Sequence, residues 1–144
     1  MSKDTYCREL KDGKPHGEGE RNAAGEEEGF GVMVFASGDV YEGQWRAGRQ
    51  EGQGTYDFAD GNRYEGQYVA GKKEGKGTYH FASGTVDVVC FKGDAPVGEA
   101  AKWSADRATA WRLQDGQVVE EVSLEEAARI AERVGLPVPP GASS

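Results

Sequence analysis

The chain has 144 residues, a formal net charge of −8 and a pI near 4.8. This length predicts one domain with at most a small appendage, and the acidic balance argues against nucleic-acid binding, because contacts to phosphates need a basic face. No apolar run approaches the roughly 18 residues of a membrane helix, and the N-terminus lacks the apolar core of a signal peptide. Cys7 and Cys90 are too few for a disulfide framework, so we expect reduced thiols and a cytoplasmic protein.

The N-terminal region carries a degenerate copy of a pattern that is complete further along the chain. Its residues have the spacing of the first complete copy, with Tyr6, Leu10, Gly13, Gly17 and Gly19 matching Tyr41, Trp45, Gly48, Gly52 and Gly54. Residues 29–38 then reproduce the second half of the pattern. The offset is 35 residues, 12 more than the period of 23 found below, which indicates a half-unit that is shortened or eroded. Degenerate ends are typical of the terminal units of a repeat array.

Two nearly identical units occupy residues 41–63 and 64–86. The strings YEGQW, GQGTY and FADG of the first unit recur 23 residues later as YEGQY, GKGTY and FASG. A fixed period of this length marks a repeat architecture in which each unit packs only on its neighbours. Such arrays usually present surfaces to other molecules, which favours a binding role over a catalytic one.

Each unit predicts a β-hairpin. Residues 41–45 alternate large or glycine residues with charged or amide ones, which is the period-two pattern of a strand with one apolar face. Residues 47–48 form the predicted two-residue tip. Pairing outward from this tip places Trp45 opposite Gln50, Gly43 opposite Gly52, and Tyr41 opposite Gly54.

The connections between hairpins must contain an odd number of residues if all units are to present their rings on one face. Residues 59–61 and 82–84 each end in glycine, which suits a three-residue loop with a left-handed last residue. The sequence therefore predicts a mainly β protein, an elongated and twisted single-sheet antiparallel meander of repeated β-hairpins.

An aromatic row should line one face of this sheet, interleaved with glycines over which a ring can lie flat. Its members are Phe35, Tyr41, Trp45, Tyr56, Phe58, Tyr64, Tyr68, Tyr79 and Phe81. Most of these rings are expected to form the core of a thin sheet. A single sheet cannot cover its whole aromatic row, however, so the part left open is a candidate groove for a partner.

The last third of the chain departs from the repeat. Residues 86–91 predict a further strand, and residues 108–113 and 117–122 flank an Asp-Gly turn as a terminal hairpin.

A capping box at residues 123–126 predicts the start of a helix that ends at Gly135. Its apolar stripe should pack as a cap on the last hairpin, near Trp103 or Trp111. The proline-rich tail over residues 136–144 should be mobile.

The repeated strings YEGQW, GxGTY and FADG closely resemble the MORN repeat (membrane occupation and recognition nexus). The match is strong across about residues 29–86, partial over 6–28 and 87–100, and absent after that. The resemblance implies a MORN β-meander over residues 1–100. The rest of the chain adds a terminal hairpin at 101–122, a capping helix at 123–135 and the mobile tail.

The resemblance also implies a non-catalytic scaffold, because MORN proteins commonly act as assembly and cytoskeletal modules, many of them in cilia and flagella. We expect the aromatic groove to dock a helix or extended segment of a protein partner. The expected setting is a cytoskeletal, ciliary or flagellar assembly such as an axonemal radial spoke.

Two alternatives concern other surfaces. A basic rim of hairpin tips, with Arg46, Arg49, Lys72 and Lys73, could bind anionic phospholipids, although the negative net charge weakens this hypothesis. Exposed strand edges would also permit a homodimer.

No residue pattern indicates chemistry. His16 and His80 have no partner at metal-ligand spacing and are predicted to lie on the surface. The acidic run at residues 26–28 is predicted to be solvated. Because no nucleotide-binding, nucleophile or metal motif is present, we expect neither an enzyme nor a bound cofactor or metal.

Overall fold

Residues 3–142 are described by a computed structural model, in which eleven strands form one open antiparallel sheet followed by a single helix. The strands are β1 (Thr5–Lys11), β2 (Lys14–Glu18), β3 (Gly29–Val34), β4 (Val40–Arg46), β5 (Arg49–Asp57), β6 (Arg63–Val69), β7 (Lys72–His80), β8 (Val86–Lys92), β9 (Ala95–Trp103), β10 (Ala110–Gln114) and β11 (Gln117–Val122), and the helix is α1 (Leu124–Val134). The predicted single-sheet, mainly β class with a short C-terminal helix is confirmed. Across this described part, no helix has the length and apolar character that crossing a membrane requires.

From β3 onward each strand pairs with the next strand of the chain, so this part of the sheet is the predicted meander. The order changes at the N-terminal end, where β1 lies between β2 and β3. Tyr6 of β1 lies opposite Met33 of β3, just as Tyr41 of β4 lies opposite Tyr56 of β5. Strands β1 and β3 are therefore the two halves of one repeat.

The 12 extra residues are an insertion within this first repeat, so the predicted shortened or eroded half-unit is wrong. Met33 precedes Tyr41 by the same interval that separates Tyr56 from Tyr64, which means that the chain keeps its period after β3. The extra length falls between β1 and β3, where β2 folds back on β1 as an additional edge strand. In a degenerate region, spacing alone fits an insertion as well as a deletion.

The hairpin tips form as predicted, but the register below them differs. Ala47 and Gly48 have φ values of 49° and 80°, the left-handed pair of a tight two-residue turn, and Trp45 lies opposite Gln50. Below this pair the register shifts, so that Gly43 lies opposite Gly54 and Tyr41 opposite Tyr56. The predicted pairs Gly43 with Gly52 and Tyr41 with Gly54 are wrong, because β5 carries two extra residues in a bulge at Gly52, which has a φ of 80°.

The three-residue loops between hairpins are confirmed. The Phe58 N–H donates to Asn62 O at 2.8 Å, and the Gly61 N–H donates back to Phe58 O at 3.0 Å, enclosing residues 59–61. The same pair of bonds closes the loop at residues 82–84. Because each loop is odd in length, successive units keep their rings on one face, and the Tyr56 and Phe58 rings contact each other at 4.7 Å between centroids.

The glycines of the sheet fall into two groups. Sixteen of the 22 have positive φ and lie in turns, loops and bulges. The other six have ordinary backbone angles, and at each of them an added Cβ would collide with a tyrosine side chain; they are Gly19, Gly31, Gly43, Gly54, Gly66 and Gly77. This confirms that rings lie over bare backbone. In each Gly-x-Gly of the complete repeats, the first glycine forms the bulge and the second lies beneath the ring.

Helix α1 begins and ends at the predicted residues. The Ser123 Oγ accepts the Glu126 N–H at 3.0 Å, which satisfies one of the free donors of the first turn. Gly135 ends the helix with a φ of 87°, and its N–H donates to Ala131 O. The left-handed conformation at this position favours glycine.

The helix packs on β8, β9 and β10, on the face opposite the aromatic row. One apolar cluster joins both partners: Ala127, Ile130 and Ala131 of the helix with Val88, Ala101, Trp103 and Ala110 of the sheet. The predicted contact with Trp103 is confirmed. Trp111 instead lies opposite Lys102, whose Nζ is 4.4 Å from the Phe81 ring on the aromatic face. The C-terminal part of the sheet is therefore buried on both faces.

The tail after the helix returns to the sheet. Leu136 and Ala142 pack against the helix cluster, Pro139 is buried, and the Arg107 Nε donates to Pro140 O at 3.1 Å. The mobility expected for residues 136–144 stays a prediction, and its last two residues lie outside the described part. The division into segments 1–100, 101–122, 123–135 and 136–144 also stays a prediction, and its first two residues lie outside as well.

Candidate binding face

Four of the nine predicted groove residues belong to the core. Tyr41 and Tyr64 are 0% exposed, Tyr68 4% and Trp45 5%. Their rings meet edge to face, with centroids 5.1 Å apart for Tyr41 and Trp45 and 5.7 Å apart for Tyr64 and Tyr68. Burial raises the pKa of Tyr64 to about 12 and that of Tyr41 still further. These four rings stabilise the sheet and are covered by their neighbours.

The other five predicted residues are half-buried and form a continuous line of rings, which we call the ring strip: Phe35, Tyr56, Phe58, Tyr79 and Phe81. Successive centroids are 5.8, 4.7, 5.9 and 4.7 Å apart. Each ring comes from the loop end of a strand, where the three-residue turn fixes its direction. The partner-binding role of all nine residues stays a prediction, and only the ring strip offers a surface for it.

Two clefts lie along the ring strip. The larger, of about 350 Å³, is lined by Phe35, Gln50, Tyr56, Phe58, Tyr68, Gly71, Lys73 and Asp94. The smaller, of about 170 Å³, lies towards the C-terminal strands and is bordered by Asp87 among apolar side chains. Burial raises the pKa of Asp87, while Lys102, with its Nζ 2.8 Å away, acts in the opposite direction. Apolar walls with a few fixed polar groups suit recognition of a side chain.

Hydrogen bonds hold the loop border of the ring strip. The Tyr56 hydroxyl donates to Asp39 Oδ2 at 2.9 Å, and Asp39 Oδ1 accepts the Ala59 N–H at 2.7 Å. Burial, together with the bond to this carboxylate, raises the pKa of Tyr56 to about 12. The phenol therefore stays protonated at neutral pH and keeps its donor.

The predicted basic rim divides in the structure. Arg46, Arg49 and Lys72 are exposed at the hairpin tips. Lys73 lies instead on the aromatic face, opposite Tyr68 and close to four rings. The binding role of these four residues stays a prediction.

Carboxylates are interleaved with the basic residues of this rim. Glu28, Glu51 and Glu74, spaced by 23 residues, each accept a backbone N–H of the next hairpin tip, from Ala47 at 3.3 Å, Ala70 at 3.1 Å and Gly93 at 3.0 Å. Glu28 is thus a structural residue, and Glu27 pairs with Arg21 at 3.2 Å. The prediction of a merely solvated acidic run is therefore wrong for these two residues.

The opposite rim carries a matching series of bonds. Asp39 Oδ1 accepts the Ala59 N–H, and 23 residues later Asn62 Oδ1 accepts the Ala82 N–H at 2.8 Å. Sequence reasoning missed both series, although the recurrence of an acceptor at the same place in each unit was a usable signal. These bonds join each unit to the next at both rims.

We expect Glu51→Ala to lower the free energy of unfolding by about 1 kcal/mol, because the Ala70 N–H loses its acceptor. Glu51→Gln keeps an acceptor oxygen and is the matched control, with a loss of less than about 0.5 kcal/mol. Urea unfolding followed by tryptophan fluorescence measures both variants. Equal losses for the two variants would show that charge, and not this hydrogen bond, is responsible.

The two histidines lie on the surface, as predicted. The His80 Nε2 is 2.8 Å from a Glu65 oxygen on the face opposite the rings, and the His16 Nδ1 is 3.7 Å from Glu9. Between residues 3 and 142, no cluster of three or more histidine, cysteine, aspartate or glutamate residues is arranged to hold a metal ion.

A sheet of hairpins with a 23-residue period, glycines beneath tyrosine rings and an open ring strip defines a repeat protein whose face is available to other molecules. The MORN repeat family model matches residues 9–21, 23–40, 41–63 and 64–86, more than half of the chain, and the chain belongs to this family. Its repeats suggest a scaffold or a protein- or membrane-binding module. No curated protein sequence matches the chain significantly.

Proposed function

We propose that this chain is a non-catalytic docking module that binds one helix or extended segment of a protein partner along the ring strip. The observation that carries the proposal is the line of five half-buried rings with clefts beside it. On the other face, the C-terminal strands are already covered by helix α1 and the tail. An apolar surface of this kind in a folded protein is typical of an interaction site.

The strip limits the length of the bound segment. It runs from the end of β3 to the end of β7, which are four strand spacings apart, or about 19 Å. A helix covers this distance with about 13 residues, and an extended chain covers it with about six. Either form can place apolar side chains in the clefts and leave its polar side in solvent.

The family resemblance supports a wider role for such a module. We propose that the protein is a structural subunit of a cytoplasmic assembly, in a cytoskeletal, ciliary or flagellar setting such as an axonemal radial spoke. A protein that joins partners needs no reaction site, in keeping with the proposed non-catalytic role.

The lipid-binding alternative is less favoured. Its basic rim is reduced to the exposed Arg46, Arg49 and Lys72, and the acceptors Glu28 and Glu51 lie between the tips. Mixed charges weaken attraction to an anionic surface, which is worth about 1 kcal/mol for each basic residue near the membrane. Flotation with phosphoinositide vesicles is the measurement that would favour this alternative.

Phe58→Asp tests the docking proposal. A carboxylate in the middle of the ring strip is expected to weaken partner binding at least about tenfold, because the segment would have to bury it unpaired. The matched control is Val69→Asp, which places the same charge at a 49% exposed valine on the opposite face. Cross-linking to the purified full chain, followed by mass spectrometry, measures capture by both variants.

The expected result is a partner that is lost with Phe58→Asp and retained with Val69→Asp, with cross-links that map to the ring strip. The unfolding midpoints of both variants are measured in parallel to show that each remains folded. A partner that binds the Phe58→Asp chain as well as the original one would overturn the proposal.

A further inference from the structure

Lys73 occupies a position that recurs in successive repeats. It lies opposite Tyr68 in the sheet, as Gln50 lies opposite Trp45. The backbone oxygen of Lys73 accepts an N–H from the next hairpin tip at 3.0 Å, and the equivalent bonds end on Gln50 O and Glu27 O in the two preceding repeats, also at 3.0 Å. The fold accepts a carboxylate, an amide or an ammonium at this position. Folding therefore does not require the lysine, and its charge is free to serve recognition.

The ammonium group of Lys73 lies among rings without a counter-ion. Its Nζ is 5.3 to 5.9 Å from the ring centroids of Phe58, Tyr64, Tyr79 and Phe91. Within residues 3–142 no carboxylate oxygen lies within 4.0 Å of it. The other two cations over this face differ in that respect, since Lys102 is paired with Asp87 and Arg21 with Glu27.

Asp94 is the acidic residue that borders the same cleft. Its Oδ1 accepts the backbone N–H of Lys73 at 2.8 Å, so this carboxylate is engaged with the main chain. Ring faces attract a cation but replace only part of the hydration that it loses. A free positive charge therefore remains beside an apolar cleft of about 350 Å³.

We propose that the docked segment carries one aspartate or glutamate whose side-chain carboxylate binds the Lys73 Nζ, flanked by apolar side chains that fill the cleft between Tyr56, Phe58 and Tyr68. This inference rests on the proposed docking function and adds the chemistry of the occupant. The carboxylate pairs with a cation that already lies in a partly desolvated site, so the pair gains more than one at the open surface. The neutral Gln50 one repeat away makes the charge contact specific to a single repeat.

The same geometry disfavours other occupants at this point. A lysine or arginine of the partner would be repelled by Lys73 and would find its ring faces already covered. A dianionic phosphate would meet one lysine, with Asp94 and Asp39 near the cleft. A single carboxylate matches the single free charge.

A displayed library of random 16-residue peptides, flanked on both sides so that no free C-terminus is present, tests the proposal. The full chain, Lys73→Gln and Lys73→Glu are each used to select peptides. Gln and Glu occupy the equivalent positions 50 and 27, so both variants are expected to fold. Lys72→Glu is the matched control, because Lys72 is the exposed neighbour of Lys73 at the hairpin tip.

We expect peptides selected on the full chain to share an aspartate or glutamate next to aromatic or aliphatic residues. They should bind Lys73→Gln about tenfold more weakly and Lys72→Glu almost unchanged, and selection on Lys73→Glu should enrich lysine or arginine at that place. Selected peptides that lose binding with Phe58→Asp but show no acidic preference would overturn this inference and leave the docking function intact. Peptides insensitive to Phe58→Asp would overturn both.

Discussion

Tyr64→Ala is expected to lower the free energy of unfolding by about 4 kcal/mol, in the range of aromatic-to-alanine changes in protein cores. The Tyr64 ring is 0% exposed, lies over Gly66 and Gly77, and meets the Phe91 ring edge to face at 5.3 Å. Its removal leaves a void over two bare strands. The surrounding sheet is held by hydrogen bonds on both sides and cannot collapse to fill it.

Tyr79→Ala is the matched control for this change. Tyr79 lies directly opposite Tyr64 in β7 but is half-buried within the ring strip. We expect less than half the loss seen for Tyr64→Ala, about 1.5 kcal/mol, because much of this ring already contacts solvent. Urea unfolding gives both values. Equal losses would contradict the division of the aromatic face into a buried row and an open strip.

Gly43→Ala is expected to cost about 3 kcal/mol, although it adds only one methyl group. The new Cβ would lie 2.5 Å from the Gly54 Cα and 2.6 Å from the Gln53 backbone oxygen. These are main-chain atoms of the paired strand, so relief requires the two strands to separate. A side chain could rotate away from such a contact, but a backbone ladder cannot.

Gly98→Ala shows what the methyl group costs without the collision. Gly98 has a φ of 75° but nothing within 4 Å of an added Cβ, so only the left-handed backbone opposes the change, at about 1 kcal/mol. Both variants are compared by thermal unfolding monitored by circular dichroism. If Gly43→Ala proved no worse than Gly98→Ala, close strand approach at Gly43 would not explain the glycine.

The part of the fold that local rules determine could be predicted from the sequence. Period-two alternation and the tip at residues 47–48 predicted the hairpins, and the odd loops ending at Gly61 predicted that all rings share one face. The bulge at Gly52 was missed because Gly-x-Gly contains two glycines with different purposes, one for backbone angle and one for space beneath a ring. The letters of the sequence do not distinguish these purposes.

The side on which the helix packs was also left open. Val88 and Val89 are adjacent and both buried, so β8 is apolar on both faces, a pattern that indicates a strand covered from two sides. That signal was present in the sequence and predicts a second core beneath a helix. Which rings of the candidate site remain open depends on contacts between repeats, such as that of Tyr41 with Tyr68, and no single repeat contains that information.

The hydrogen bonds from Glu28, Glu51 and Glu74 to the following tips have a consequence for how such a protein can change over evolution. Each unit offers its successor the same acceptor, so a whole unit can be gained or lost with every donor still satisfied. The docking face would then lengthen in fixed steps of about 10 Å, each matching six or seven residues of a bound helix. The size of the cargo would thus be counted in whole modules.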